Sequence, residues 1–169
     1  LFKWTGGKAW VSKQLNTKID KILKNNNEIN TYVEPFCGGL GSFLSLYDTL
    51  INNNIKKVVL NDINHNLITL YDNVKNRPQE LINAYTLIEK ANNLHKTKDK
   101  VVLKEVLNES NNYFKEKRKE LNDLNKKIDS SNEIQRSSLL LFLLKHNFNG
   151  IYRENRNGEI NSPFNWEAM

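Results

Sequence analysis

Apolar and polar residues follow two different periods in the first half of the chain. Helical spacing of apolar residues occurs over Lys13–Leu23, and it returns over Gly41–Leu50 and Asn66–Asn76. The runs TYVEPF (residues 31–36) and VVLNDIN (residues 58–64) are short and rich in apolar residues, as is typical of strands, and the second is expected to be buried. This order of helices and strands predicts a βαβ unit within an α/β fold.

The second half of the chain is more polar but keeps a helical period. Residues 78–128 are rich in Lys and Glu, and a more apolar helix is predicted over Ile134–Lys145. The stretch after it combines Asn, Gly, Arg and aromatic residues, which is typical of an exposed loop or hairpin. The length allows one domain, or one domain with a small insertion, the character of the sequence changes after Arg77–Pro78, and a hairpin is expected at residues 147–165.

Composition and charge narrow the class of protein. The net charge of +6 and the pI near 9.3 suit a polyanionic partner such as nucleic acid. Cys37 is the single cysteine, which excludes an internal disulfide and a Cys-based zinc site, and we predict no metal site. The sequence shows no membrane span and no signal peptide, so we expect a cytoplasmic protein. Because the chain begins at Leu1 rather than at Met, we expect a piece of a longer protein.

The segment YVEPFCGGLGSFL carries the first candidate site. Glycines at positions 38, 39 and 41 let the backbone turn sharply and leave no Cβ to keep a ligand away. Asp62 ends the next predicted strand about 20 residues later, the usual distance for a carboxylate that binds ribose hydroxyls. Together these features predict a site for an adenosine-type ligand, the alternative being a plain strand-to-helix turn with a helix-capping aspartate.

The acidic residue before the glycines decides between two adenosine cofactors. A dinucleotide pyrophosphate needs G-x-G-x-x-G and an open helix N-terminus, whereas here the spacing is G-G-x-G and Glu34 would repel a phosphate. S-adenosylmethionine carries a sulfonium and an ammonium group, both of which tolerate or prefer a nearby carboxylate. Lys8 suits its methionine carboxylate, and Trp4 suits an aromatic wall. S-adenosylmethionine is the predicted cofactor, and an NAD-type nucleotide is the weaker alternative.

Four blocks of sequence resemble the Dam-type (α-class, D12) site-specific DNA adenine-N6 methyltransferases. In order, they are KWTGGK, VEPFCGGLGSFL, LNDIN and FNGIYRENRNGEINSPF, running from Phe2 to about Asn165. The resemblance implies part of a Rossmann-like S-adenosylmethionine-dependent methyltransferase fold with an inserted helical target-recognition domain. Residues 1–76 would belong to the cofactor-binding domain and residues 77–169 to the recognition domain.

The resemblance also implies an activity and its partners. The activity is transfer of a methyl group from S-adenosylmethionine to adenine N6 in double-stranded DNA, in a site such as GATC. A restriction endonuclease of the same system is a candidate partner. The sequence leaves the oligomeric state open, with a monomer as one alternative, and it implies no membrane partner.

Individual residues take roles from the same resemblance. The implied cofactor-binding residues are Trp4, Lys8, Glu34, Pro35, Phe36, Gly38, Gly39, Gly41, Asp62 and Ile63. The implied DNA-binding residues, in the hairpin block, are Phe148, Asn149, Tyr152, Arg153, Asn155, Arg156 and Pro163. An arginine fork reads guanine in the major groove, and we expect Arg153 at the hairpin tip, just past a turn at Asn149–Gly150. Phe148 or Tyr152 would wedge into the base stack, and Pro163 would contact a thymine methyl group.

The family's catalytic tetrad, D/N-P-P-Y/F, has no match in the chain. The prolines are Pro35, Pro78 and Pro163, with no Pro-Pro pair. NSPF (Asn161–Phe164) has Asn and Phe at the tetrad spacing but lies inside the predicted hairpin. We expect no catalytic residue in this chain, so that the parent protein would be the enzyme and this fragment alone would be inactive. The alternative is a non-catalytic remnant that binds DNA or S-adenosylmethionine.

Overall fold

The computed structural model describes residue 4, residues 11–92 and residues 100–166, apart from the side chains of residues 100 and 101. The described residues divide into two compact units: a first unit up to His65 and a second unit from Asn66 onward. The predicted boundary after residue 76 is a functional one, between cofactor binding and DNA recognition. It is not tested by this division into compact units and stays a prediction.

The first unit contains two helices and two strands. Helix α1 spans Ser12–Lys24, strand β1 spans Thr31–Glu34, helix α2 spans Gly41–Asn52 and strand β2 spans Lys57–Leu60. All four elements were predicted from the sequence, and the structure confirms them. The strands pair in parallel and α2 lies between them in the chain, so the first unit contains a β-α-β arrangement.

The register of the two strands brings their carboxyl ends to the same edge of the sheet. Glu34 of β1 pairs with Leu60 of β2. Two further backbone hydrogen bonds extend the ladder beyond the strands, from Asn61 N to Glu34 O at 2.9 Å and from Cys37 N to Asn61 O at 2.8 Å. We call this the carboxyl edge, and it includes the residues that directly follow each strand.

The small sheet is only partly buried. Tyr32 packs against the apolar cluster that α1 and α2 form around Leu23, Leu46 and Leu50. On β2, however, Val58 is 41% exposed and Val59 is 36% exposed. The expectation that this strand is buried is therefore wrong. Within the described residues the sheet has only two strands, so each strand has a neighbour on one side only.

The second unit consists mainly of helices. They are α3 (His65–Asn76, which begins at the last residue of the first unit), α4 (Pro78–Ala91), α5 (Lys100–Asn125) and α6 (Glu133–His146), with 3-10 turns at Ser130–Asn132 and Phe148–Gly150. Helix α6 forms the centre of this unit, because Leu139, Phe142 and Leu143 are almost completely buried. The predicted helices that became α3 and α6 are confirmed. None of the described helices combines the length and the apolarity needed to cross a bilayer.

Polar side chains also tie α6 to its neighbours. Asn73 of α3 donates a hydrogen bond from Nδ2 to Ser137 Oγ at 2.9 Å, and both side chains are buried. Arg136 is 1% exposed and donates from Nη2 to Asn66 Oδ1 at 3.1 Å. Buried polar groups are costly unless they are paired, so these contacts favour one packing of α3 on α6.

An ion-pair cluster joins α4 to the end of α6. Glu89 Oε1 lies 3.0 Å from His146 Nε2 and 3.2 Å from Lys145 Nζ, and it accepts a hydrogen bond from the Tyr85 hydroxyl. Burial alone would raise the pKa of Glu89, but the hydrogen bonds from His146 and Tyr85 and the charges beside it outweigh burial and lower the pKa to about 2. Ionised Glu89 therefore stabilises the fold where the hairpin leaves α6.

The pKa of Glu89 predicts an acid-dependent stability contribution. Its folded-state pKa of about 2 lies below the ordinary value of 4.5, so the contribution is complete above pH 4.5 and disappears as the pH falls toward 2. Glu89→Gln should therefore lower the free energy of unfolding at pH 7, and the difference from wild type should shrink below pH 4.5. Urea unfolding of both proteins at pH 7, 4.5 and 3 measures this difference. A difference that stays constant over that range would show that the charge of Glu89 contributes nothing.

Candidate cofactor and DNA-recognition sites

The loop between β1 and α2 turns through two left-handed residues. Gly38 has φ +45° and Leu40 has φ +62°. Leu40 is 7% exposed, so burial of its side chain offsets the cost of a backbone conformation that non-glycine residues rarely adopt. Of the three glycines from which the sharp turn was predicted, only Gly38 has a positive φ. The sequence pattern gave no sign of the role of Leu40.

Asp62 connects this loop to the end of the second strand. The N–H of Gly38 donates to Asp62 Oδ2 at 2.9 Å, and the N–H of Asn64 donates to Asp62 Oδ1 at 2.9 Å. A carboxylate offers about four lone-pair sites, so the half-buried Asp62 keeps acceptor capacity for a ligand. The structure thus brings together Gly38 and Asp62, which the sequence assigned to one site.

Two carboxylates give the carboxyl edge a negative potential. Glu34 is half-buried and accepts a hydrogen bond from the Tyr32 hydroxyl at 2.8 Å, and burial together with that carboxylate raises the pKa of Tyr32. Burial, followed by the charges of Asp62 and Glu34, raises the pKa of the Cys37 thiol to about 11. Both carboxylates therefore act on the same sulfur atom, which stays a neutral thiol and is a poor nucleophile at neutral pH.

Large apolar side chains stand out from the carboxyl edge. Phe36 is 86% exposed and Ile63 is 99% exposed, and Pro35 is also exposed. Trp4 lies over Gly38, because a Cβ added to that glycine would be 3.0 Å from Trp4 Cδ1. Exposed apolar groups beside the carboxylates of Glu34 and Asp62 suit a ligand with a flat apolar part and a positive charge. Lys8, the predicted partner of the methionine carboxylate, lies outside the described residues.

The hairpin predicted at residues 147–165 is an antiparallel structure with few ladder contacts. Isolated bridges join Asn147 to Phe164 and Glu154 to Ile160. Its tip is the segment Asn155–Glu159, where Asn155 N donates to Glu159 O at 2.9 Å and Asn155 Oδ1 accepts from Glu159 N at 3.0 Å. The amide side chain of Asn155 thus stabilises the turn itself, although the sequence assigned it to DNA.

Arg153 lies in the ladder and not at the tip, which corrects the sequence-based expectation. Asn149–Gly150 forms a 3-10 turn at the base of the hairpin, and the tip uses Gly158, with φ +75°. The exposed Arg153 donates from Nε to Asn161 Oδ1 at 2.8 Å and from Nη2 to Asn161 O at 3.1 Å. An arginine has five N–H donors, so Nη1 and the second Nη2 hydrogen remain for a ligand.

The other predicted DNA-binding residues differ in exposure. Asn149, Arg156 and Pro163 are exposed and Phe148 is 40% exposed, whereas Tyr152 is half-buried and its hydroxyl donates to Glu154. Their roles toward DNA stay predictions.

The segment NSPF has a structural role in the hairpin. Phe164 is 3% exposed, and its ring lies 5.5 Å from that of Phe114 and 5.6 Å from that of Trp166, measured between ring centroids. It has no free face on which an extruded base could stack. That Asn161–Phe164 does not replace the catalytic tetrad stays a prediction.

Sequence reasoning missed the contribution of α5 to this hairpin. Arg118 donates from Nη1 to Ser162 O at 2.6 Å, and Asn122 exchanges two hydrogen bonds with the backbone of Ile160. The signal in the sequence is the spacing of Phe114, Arg118 and Asn122, which places all three on one face of a helix.

Comparison with known proteins identifies the class to which this loop and hairpin belong. Residues 4–167 match the D12 class N6 adenine-specific DNA methyltransferase family. The chain therefore belongs to this family, as the resemblance of its four sequence blocks implied.

Individual relatives support the same assignment. The chain is 34% identical to the type II methyltransferase M.MjaIII of Methanocaldococcus jannaschii, with 96% of this chain and 50% of that protein covered. It is 31% identical to the DNA adenine methylase of Haemophilus influenzae, with 96% and 45% covered, and 30% identical to the DNA adenine methylase of Escherichia coli K12, with 96% and 46% covered. The chain thus spans about half the length of these curated relatives.

The geometry of the glycine loop predicts that two similar substitutions have different effects on the free energy of unfolding. Gly38→Ala forces a left-handed alanine and moves Cβ toward Trp4, so the free energy of unfolding should fall by about 1–3 kcal/mol. Gly41→Ala is the matched control, because its Cβ would have no atom within 4 Å, and replacing glycine at a helix start should leave stability unchanged or raise it by up to about 1 kcal/mol. Urea unfolding measures both. Equal effects of the two substitutions would show that the loop conformation at Gly38 is not a constraint.

Proposed function

We propose that this chain supplies the S-adenosylmethionine-binding and DNA-recognition parts of a methyltransferase that modifies adenine N6 in double-stranded DNA. The observation that supports this most directly is the hydrogen bond between Gly38 and Asp62 at an edge that also carries Glu34. A glycine loop, a free acceptor and a negative potential suit a nucleoside that carries a positive charge.

The residues of the carboxyl edge fit S-adenosylmethionine in the proposed orientation. Asp62 would accept hydrogen bonds from the ribose hydroxyls, and Ile63 would cover the adenine ring. Glu34 would lie toward the positively charged methionine part, and Trp4 would line the same loop as Gly38. The cofactor supplies the methyl group on its sulfonium, and the protein residues hold it and complement its charge.

The hairpin would read the DNA sequence, with GATC as the first site to test. Arg153 would use its remaining N–H donors on a guanine, since Asn161 holds the other edge of its guanidinium group. Phe148, exposed beside the left-handed Asn149 (φ +53°), would enter the base stack. Arg156, exposed near the tip, would contact a phosphate.

Binding of the cofactor and DNA is separate from transfer of the methyl group in this proposal. The 169 residues contain no Pro-Pro pair, and we propose that they bind cofactor and DNA without transferring the methyl group by themselves. We propose a cytoplasmic location because the substrate is DNA. A restriction endonuclease remains a candidate partner, since two relatives carry the name of type II methyltransferases.

The role of Asp62 is tested by an isosteric substitution. Asp62→Asn keeps an oxygen for the N–H of Gly38 but removes the charge and part of the acceptor capacity. We expect the binding free energy for S-adenosylmethionine to weaken by about 1–3 kcal/mol, as for a lost charged hydrogen-bond partner. Asp48→Asn, on the exposed surface of α2 in the same unit, is the control and should leave affinity unchanged. Calorimetric titration of the folded variants decides, and equal affinities of all three proteins would contradict the assignment of Asp62.

The role of Arg153 is tested by sequence discrimination. A bidentate contact between arginine and guanine gives about 1–3 kcal/mol of discrimination, so Arg153→Ala should remove preference at one guanine position. Lys115→Ala, at an exposed position on α5, should weaken binding to all sequences alike or leave it unchanged. The measurement is the affinity for a panel of duplexes with single-base changes in the preferred site. A uniform loss of affinity in Arg153→Ala would make Arg153 a phosphate contact or a structural residue.

A further inference from the structure

Three residues of helix α5 contact three residues on the second side of the hairpin at regular intervals. Asn122 meets Ile160, Arg118 meets Ser162, and Phe114 meets Phe164. The contacts are hydrogen bonds of 2.8 and 3.0 Å for the first pair, one hydrogen bond of 2.6 Å for the second, and a ring-centroid distance of 5.5 Å for the third. Every fourth residue of the helix therefore contacts every second residue of the strand, in the opposite direction along the chain.

This match follows from the dimensions of the two backbones. Four residues of an α-helix rise about 6 Å along its axis, and two residues of an extended strand advance about 6.6–6.8 Å. The two repeats agree closely over two steps. Because side chains of a strand alternate between its faces, Ile160, Ser162 and Phe164 all turn toward the protein, and they are 2%, 0% and 3% exposed.

A helix cannot pair its backbone with a strand, since its own N–H and C=O groups are already bonded within the helix. The N–H and C=O of Ile160 point toward α5 and need partners, because unpaired backbone groups in the interior are costly. Asn122 provides both partners: its Oδ1 accepts from Ile160 N at 2.8 Å and its Nδ2 donates to Ile160 O at 3.0 Å. Its amide thus replaces the peptide group of a neighbouring strand.

The position of Ile160 determines which side chains of the hairpin face outward. A shift of one residue along a strand exchanges its two faces. Such a shift would turn Asn161 inward, and Asn161 carries the contacts that orient Arg153. Within the hairpin, Asn155 N donates to Glu159 O and Asn161 N donates to Arg153 O, both at 2.9 Å. The N–H and C=O of Ile160 lie between these two bonds and are bonded by Asn122 instead, so Asn122 adds a contact from outside the hairpin to the register that the ladder sets.

We propose that Asn122 is a positioning residue for DNA sequence recognition, which holds the hairpin in register and thereby presents Arg153. This inference rests on the proposed DNA-reading function of the hairpin. Asn122 would act through Ile160 and Asn161, since its amide is bonded to the backbone of Ile160.

Two substitutions of Asn122 and two matched controls test the inference in the 169-residue chain. Asn122→Ala removes both hydrogen bonds. Asn122→Asp keeps an acceptor for the N–H of Ile160 but places a carboxylate against its carbonyl oxygen. The controls are Asn112→Ala and Asn112→Asp, at an exposed position of the same helix. The first readout is amide hydrogen exchange of Ile160 compared with amides in the centre of α6.

The expected result is local to the hairpin. The Ile160 amide should exchange about tenfold faster or more in Asn122→Ala, as for a lost hydrogen bond. Amides of α6 should keep their protection in both Asn122 variants, and the controls should resemble wild type. Unchanged exchange at Ile160 in Asn122→Ala overturns the inference. Equal loss of protection at Ile160 and throughout α6 in both variants also overturns it, because Asn122 would then be a general stability residue.

The second readout is discrimination among DNA sequences. The preferred site is selected with wild-type protein from randomised duplexes, and affinities are then measured for this site and its single-base variants. We expect the affinity ratio at one guanine position to fall about tenfold in the Asn122 variants, with affinity for unrelated DNA retained. Retained discrimination overturns the positioning role. A wild-type chain without any sequence preference overturns the proposed function and the recognition role together, and the exchange data still show separately whether Asn122 holds the hairpin.

Discussion

Glu34 of β1 pairs with Leu60 of β2 in a parallel register, and the candidate cofactor site depends on this pairing. A slip of one residue would reverse the faces of one strand relative to the other and would change the position of the loop glycines relative to Asp62. The hydrogen bond from Gly38 to Asp62 then fixes the loop relative to the second strand. Parallel pairing thus converts two residues that are distant in sequence into one acceptor-rich edge, and the ligand class follows from which side chains it brings there.

The hairpin is also held in place by contacts between residues that are distant in sequence, but side chains of helix α5 provide them. Its two sides share backbone hydrogen bonds, from Asn155 N to Glu159 O and from Asn161 N to Arg153 O, and helix α5 adds further bonds from outside the hairpin. Asn122 and Arg118 bond to its backbone, and Phe114 packs on its last buried ring. The outward side chains can then vary without loss of the support, because the bonds from α5 go to peptide groups. In the proposed DNA-reading role, the residues that hold the hairpin would thus be different from the residues that read the DNA.

Local patterns predicted the helices and strands well, because amphipathic spacing depends only on neighbouring residues. The errors arose where contacts distant in sequence decide. Val59 is exposed because strand burial depends on neighbouring strands, and Leu40 is left-handed because its side chain is buried. The sequence-based expectation placed the turn of the tip at Asn149–Gly150, whereas the tip uses the second Asn-Gly pair of the chain, Asn157–Gly158. Asn155 Oδ1 accepts hydrogen bonds from Asn157 N and Glu159 N in this second turn, and these side-chain contacts stabilise it.

The net charge of the chain indicates which sign of charge suits its partner, but it does not indicate the chemistry of the individual sites. The chain carries +6, which suits DNA, yet the loop after β1 carries Cys37, whose pKa is raised to about 11 first by burial and then by the charges of Asp62 and Glu34. Both carboxylates are half-buried, and charges away from bulk water are screened less than exposed ones. The same protein therefore presents a negative corner suited to a cationic cofactor and exposed arginines suited to a polyanion. A ligand near Gly38 would meet the half-buried carboxylates of Glu34 and Asp62, whereas a ligand at the hairpin would meet the exposed arginines.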